Sequence, residues 1–243
     1  MSAVHVHELP DGRRIAYRFA PGAGPTIVFL PGYMSDLSGS KAAAVGDWAC
    51  ANNRACLLLD YSGCGQSGGQ FAAGTLSRWR NEVLALIAAQ CPGPVVLVGS
   101  SMGGWLMVLV ALAISAQVTA LVGIAAAPDF TDWGYSAEQK ALLAAGETVL
   151  EANPYGPEMT PTHPAFWRDG EAQRVLDSGI ALTCPVRLLH GQQDADVPWQ
   201  VALRLAQAVR SADVQVTLVK DGDHRLSRTS DITLLLQTIA ALD

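Results

Sequence analysis

The stretch Gly99-Ser100-Ser101-Met102-Gly103 constrains the fold of this chain more than any other, because of what flanks it. Upstream, Val95-Val96-Leu97-Val98 is short, β-branched and bounded by Pro94 and Gly99, the pattern of a buried strand. Downstream, Trp105 to Ile114 is continuously apolar and longer, the pattern of a helix packed on a sheet. A strand that passes directly into a buried helix through a glycine-flanked serine predicts a nucleophile elbow, a corner so tight that neighbouring chain leaves no room for side chains on either side. Only Ser101 has glycine at both flanking positions, Gly99 and Gly103; for Ser100 they would be Val98 and Met102. Ser101 is therefore the candidate nucleophile.

Periodicity extends this corner into a fold class. Strands are expected at Arg14 to Phe19, Thr26 to Leu30, Ala55 to Leu59, Val95 to Val98, Ala120 to Ala125, Val186 to Leu189 and Val214 to Val219. Helices are expected at Ser40 to Ala51, Leu76 to Ala89, Met102 to Ser115, Pro198 to Val209 and Ser230 to Leu242. Strands alternating with helices imply an α/β protein with a mostly parallel central sheet and helices on both faces. At 243 residues and 50% hydrophobic, the chain can bury that core as one domain, 1–243. Ligands of such sheets bind past the carboxyl ends of the strands, where Tyr33, Ser101 and the loop after His190 all fall.

One window breaks the alternation. Residues 129–183 hold nine of the 22 acids but three of the 16 bases, enough to account for the whole net charge of -6. The window also concentrates aromatic residues, and it contains turn-rich pieces (Asn153 to Pro157, Thr160 to Thr162) and expected helices at Ala137 to Glu151 and Asp169 to Asp177. It reads as a small helical lid inserted into the domain, with Trp133, Phe166 and Trp167 walling an apolar substrate pocket. The acidic balance speaks against a nucleic-acid partner. No apolar run approaches the span of a bilayer, and the first residues lack the apolar core of a secretion signal, so a protein without a membrane span, in the cytoplasm, is expected. Five widely spaced cysteines without a C-x-x-C pair suggest neither a disulfide framework nor a zinc site and suit a reducing compartment. No metal and no cofactor is expected.

A serine hydroxyl needs a base within hydrogen-bond reach and a carboxylate to orient that base. For a serine on a strand-turn-helix elbow the partners follow in the order Ser, Asp or Glu, His. Of the five histidines only His224, in Lys220-Asp221-Gly222-Asp223-His224, follows a suitable downstream acid. That acid comes from His190-Gly191-Gln192-Gln193-Asp194-Ala195-Asp196, which leaves a strand and turns at glycine. Asp194 is preferred, because Asp196 sits beside Val197-Pro198 and reads as the N-cap of the helix beginning there. An oxyanion on the attacked carbonyl needs preorganised N–H donors. The backbone of Met102, at the helix start, and that of Tyr33, in the turn Pro31-Gly32-Tyr33, are the candidates.

With these residues in place the chain resembles the α/β-hydrolase superfamily from end to end. The resemblance is carried by Leu30-Pro31-Gly32-Tyr33, Asp60-Tyr61-Ser62-Gly63-Cys64-Gly65-Gln66-Ser67, Gly99 to Gly103, His190 to Asp194 and Asp223-His224. More narrowly, Phe29 to Asp36, Gly99 to Met107, Val197-Pro198-Trp199 and Asp223-His224-Arg225 resemble the palmitoyl-protein thioesterase and acyl-glucuronide esterase branch, whose eukaryotic members are mitochondrial. The resemblance implies an α/β-hydrolase fold with Ser101 as nucleophile, Asp194 as acid and His224 as base. It implies hydrolysis of esters or thioesters through an acyl-enzyme on Ser101, with a small-molecule ester or an acylated protein as substrate. Small esters or acyl glucuronides are the alternative substrates. A ligand-binding protein on the same scaffold is the competing class, and the complete set of Ser, Asp and His weighs against it.

Overall fold

The computed structural model describes residues 3–154 and 156–242; Tyr155, in one of the turn-rich pieces, and the extreme termini lie outside the described residues. Eight strands form one sheet: β1 (His5–Glu8), β2 (Arg14–Ala20), β3 (Ala23–Leu30), β4 (Arg54–Leu59), β5 (Val95–Ser100), β6 (Val118–Ile124), β9 (Val186–Gly191) and β10 (Val214–Val219). Their order is β1-β2-β4-β3-β5-β6-β9-β10, with β2 antiparallel to both neighbours and every other pairing parallel. A separate antiparallel pair, β7 (Val149–Glu151) and β8 (Thr160–Thr162), lies in the segment between β6 and β9.

The central strands send alternate side chains to opposite faces, as the period of two requires. Val28, Leu30, Leu57, Leu59, Leu97 and Leu188 join one core with α2 (Leu76–Gln90), α3 (Met102–Ala113) and α7 (Gln200–Ala208). Ile27, Phe29, Cys56, Leu58, Val96, Val98 and Leu189 join a second core with α1 (Ser40–Ala51) and α8 (Thr229–Ala240). Because both faces are covered, the central strands read as unbroken apolar runs. Helix α3, apolar around its whole circumference, is buried from Met102 to Ala111.

Register brings the strand ends to one level. Leu30 lies opposite Gly99, Ser100 opposite Ile124, Ile124 opposite Leu189, and Gly191 opposite Val219. Tyr33, Ser101, Asp194 and His224 all follow within five residues of these ends, so the topology delivers them to one edge of the sheet.

Three local expectations change. The edge strand β1, mostly exposed, gives no apolar run to read. The helix expected to reach Glu151 is α5 (Ala137–Ala145): it opens on a Ser136/Gln139 capping box and stops at Gly146 in the left-handed conformation, and Val149–Glu151 is strand β7. The helix expected at Asp169 to Asp177 is α6 (Pro164–Ala172), whose proline at the first turn is the signal that would have set its start. A short helix, α4 (Phe130–Trp133), precedes them. No helix among the described residues is long and apolar enough to cross a membrane, and the five cysteines are free.

Candidate active site

The corner at Ser101 is closed by backbone. Ser101 has φ 54° and ψ -120°, a conformation that side-chain-bearing residues rarely adopt. A Cβ on Gly99 would come 2.3 Å from Gly103 O, and one on Gly103 would come 2.1 Å from Leu30 O, so both positions admit only glycine. Ser101 N–H donates to Ile124 O at 2.9 Å, and Ser101 O accepts from Gly104 N–H at 2.8 Å and Ala127 N–H at 3.1 Å. These bonds fix the strained residue from three directions and leave its side chain facing outward.

Ser101 Oγ lies 3.1 Å from His224 Nε2, and His224 Nδ1 lies 2.8 Å from Asp194 Oδ2. The other carboxylate oxygen, Oδ1, accepts from Asp196 N–H at 2.9 Å and Val197 N–H at 2.8 Å. Burial alone would raise the Asp194 pKa. The bonds from His190, His224 and the Val197 amide outweigh it and hold the group well below the ordinary carboxylate range, so it is ionised throughout neutral pH. Asp196 does not cap a helix: α7 begins at Gln200, with Trp199 in the cap position. Asp194, Asp196 and His224 offer metal-ligand atoms within 4.8 Å of one another, but an ion there would have to break the Asp194–His224 bond.

A cleft of about 610 Å³ opens over Ser101, within the roughly 300–1,000 Å³ common for small-molecule sites. Tyr33 and Met102 line it, and neither of their backbone N–H groups donates to another group among the described residues. The Tyr33 phenol is pushed up by burial and donates to Pro161 O, in β8, at 2.9 Å. Its loop is braced from behind: Asp60 accepts from Leu37 N–H at 2.7 Å and Gln66 N–H at 2.8 Å.

Of the three aromatic residues expected to wall the pocket, Trp133 lines the cleft and Phe166 and Trp167 do not. Phe166 is fully buried against Tyr33, Trp79 and Phe130, because α6 turns it toward the sheet. Trp167 points elsewhere and donates from Nε1 to Thr131 O at 3.1 Å. Phe130 and Tyr135 take their place. Tyr135, pushed up to about 12 by burial, is bonded to Thr162 Oγ1 at 2.7 Å. Sequence reading also missed that Lys41 and Arg225 line the cleft. Burial and the neighbouring Arg225 charge bring the Lys41 ammonium down to about 8, and it donates to Arg225 O.

Comparison with known proteins decides the family. Residues 27–231 match the Alpha/beta hydrolase family. The chain belongs to that family. This hydrolase is 42% identical over 244 residues to the mitochondrial palmitoyl-protein thioesterase ABHD10 of Mus musculus, covering 98% of this chain and 81% of that protein. Its fold is similar to a solved structure of alpha/beta hydrolase domain-containing protein 10 from mouse, with a TM-score of 0.92 at 37% identity over 99% of this chain and 98% of that one. A putative hydrolase from Agrobacterium vitis S4 is equally similar, with a TM-score of 0.92 at 39% identity over 99% of both chains.

Proposed function

We propose that this hydrolase is a serine thioesterase and esterase that removes acyl groups, long-chain acyl thioesters on protein cysteines included, through a covalent acyl-enzyme on Ser101. The observation that carries the reading is the unbroken hydrogen-bonded run Ser101 Oγ, His224, Asp194 at the foot of a cleft. His224 Nε2 takes the hydroxyl proton as Oγ attacks the acyl carbon, and the Asp194 carboxylate stabilises the imidazolium that forms. The amides of Met102 and Tyr33 donate to the oxyanion. His224 returns the proton to the departing thiolate or alkoxide, and water, activated by the same base, then clears the acyl-enzyme. The acyl chain lies along Phe130 and Trp133, under residues 129–183 acting as a lid, and the polar leaving group faces Lys41 and Arg225. The name of the mouse relative supports acyl-protein thioesters as the substrate class. Five free thiols support a reducing compartment, for which we propose the cytoplasm.

Acyl thioesters and oxygen esters graded in chain length test the substrate, and a fluorophosphonate label tests the serine. Folded protein should be labelled, and Ser101→Ala should lose both label and turnover, a drop of about 10³-fold or more. Folded wild-type protein that takes no label would leave the ligand-binding reading standing instead.

A further inference from the structure

His190, in β9, is fully buried. Its Nε2 lies 3.1 Å from Asp194 Oδ2 and 3.0 Å from Val197 O. Both neighbours are acceptors, so Nε2 carries a hydrogen. Its other nitrogen, Nδ1, is buried with no hydrogen-bond partner among the described residues. The polar capacity of this ring is directed wholly at the Asp194 loop. As a core filler it is a poor choice, since an apolar side chain of similar volume would avoid burying an unsatisfied nitrogen.

What the ring supplies is one donor hydrogen placed between Val197 O and Asp194 Oδ2. The amides of Asp196 and Val197 bond to Oδ1 and His224 bonds to Oδ2, while the one hydrogen on His190 Nε2, bonded to Val197 O, also lies within reach of Oδ2 and is shared with it. Val197 is held at both ends, its N–H by Asp194 and its carbonyl by His190. Without His190, one side of Oδ2 has no donor and the carbonyl of the loop is released.

We propose that His190 is a positioning residue for acyl transfer: its Nε2–H, shared between Val197 O and Asp194 Oδ2, fixes the Asp194 carboxylate where it holds His224 Nδ1, and so keeps His224 Nε2 aimed at Ser101 Oγ. This rests on the reading of Ser101 as nucleophile. His190 transfers no proton; the Ser101 proton passes to His224 and on to the leaving group, while the His190 hydrogen stays in place.

The test pairs His190→Leu, which fills the volume without a donor, with His190→Gln, whose amide restores one. Each is assayed with a p-nitrophenyl ester alongside a thermal melt. In His190→Leu, kcat should fall about tenfold or more, with KM unchanged and the melting temperature held or raised, and His190→Gln should recover most of the loss. Wild-type kcat in His190→Leu overturns the proposal, as does an equal loss in both variants that tracks a fall in melting temperature. If His190→Leu does not fold, His190→Gln decides against His190→Asn, too short to reach Asp194: recovery in Gln alone supports the proposal, and equal kcat in the two overturns it. Ser101→Ala separates the two levels. Turnover surviving there sinks the nucleophile reading, whereas turnover lost there but untouched in His190→Leu sinks only the positioning role.

Discussion

The sheet edge that carries Ser101 and the segment between β6 and β9 face each other across the cleft, and they are held by different forces. At the edge, backbone packs on backbone: Gly99 against Gly103, and Gly103 against Leu30 and Pro31. The segment is fastened by side chains: Phe130 packs on Tyr33 and Phe166 on Tyr33 and Trp79, and single polar bonds join residues far apart in the chain. Asp129 accepts from Val175 N–H and Leu176 N–H, both at 2.9 Å; Asp169 accepts from Ser77 N–H and Oγ, both at 2.7 Å; Tyr33 Oη reaches Pro161 O. Steric contact between backbones has no slack, whereas a tether can be loosened one bond at a time. The two regions should therefore respond differently to mutation, the edge by failing outright and the segment by opening while the sheet stays folded.

The edge breaks hardest at Gly103. Gly103→Ala would set a methyl group 2.1 Å from Leu30 O and 2.4 Å from Pro31 O, both backbone atoms that cannot rotate away. We expect a loss of about 3 kcal/mol or more and no fluorophosphonate labelling, checked by urea denaturation and gel. Normal labelling of Gly103→Ala would show that close backbone approach does not set the elbow.

Asp129→Asn tests the other region. Asparagine tolerates the left-handed backbone at this position (φ 59°) but turns one acceptor into a donor facing a buried amide. The expected cost is about 2 kcal/mol. It should appear by hydrogen exchange as faster opening of residues 129–183, with protection of β3, β5 and β6 unchanged. Uniform loss of protection over the whole chain would mean that the two regions are one cooperative unit.

The same contrast decides what could be read from the sequence. That Ser101, Asp194 and His224 come together was legible, because strand ends on a parallel sheet share one edge and chain order then leaves few choices. The central strands were legible because burial on both faces leaves continuous apolar runs, as in Val95 to Val98. The segment was legible only as a shift in composition. The direction a ring such as Phe166 takes depends on Tyr33 and Trp79, distant in sequence, and no local pattern encodes it. The three-residue strands β7 and β8 owe their existence to each other. His190 was set aside as a base for want of a downstream acid, and its contact with Asp194 is visible only once the turn at Gly191 is folded.

The smallest expected effect is also the most selective. Trp133 hangs on α4 at the edge of the cleft, its Nε1 donating to Pro128 O at 2.8 Å, and it touches the cavity but none of Ser101, His224 or Asp194 by hydrogen bond. Trp133→Ala should leave turnover of an acetyl ester near wild type while raising KM for a long-chain thioester about tenfold, the loss of roughly 1.5 kcal/mol of apolar contact. Steady-state kinetics across one acyl series reads this directly. If KM instead rises equally for short and long chains, Trp133 shapes the site as a whole, and the separation between a rigid chemical edge and an adjustable acyl wall fails at the residue where it predicts the cleanest division.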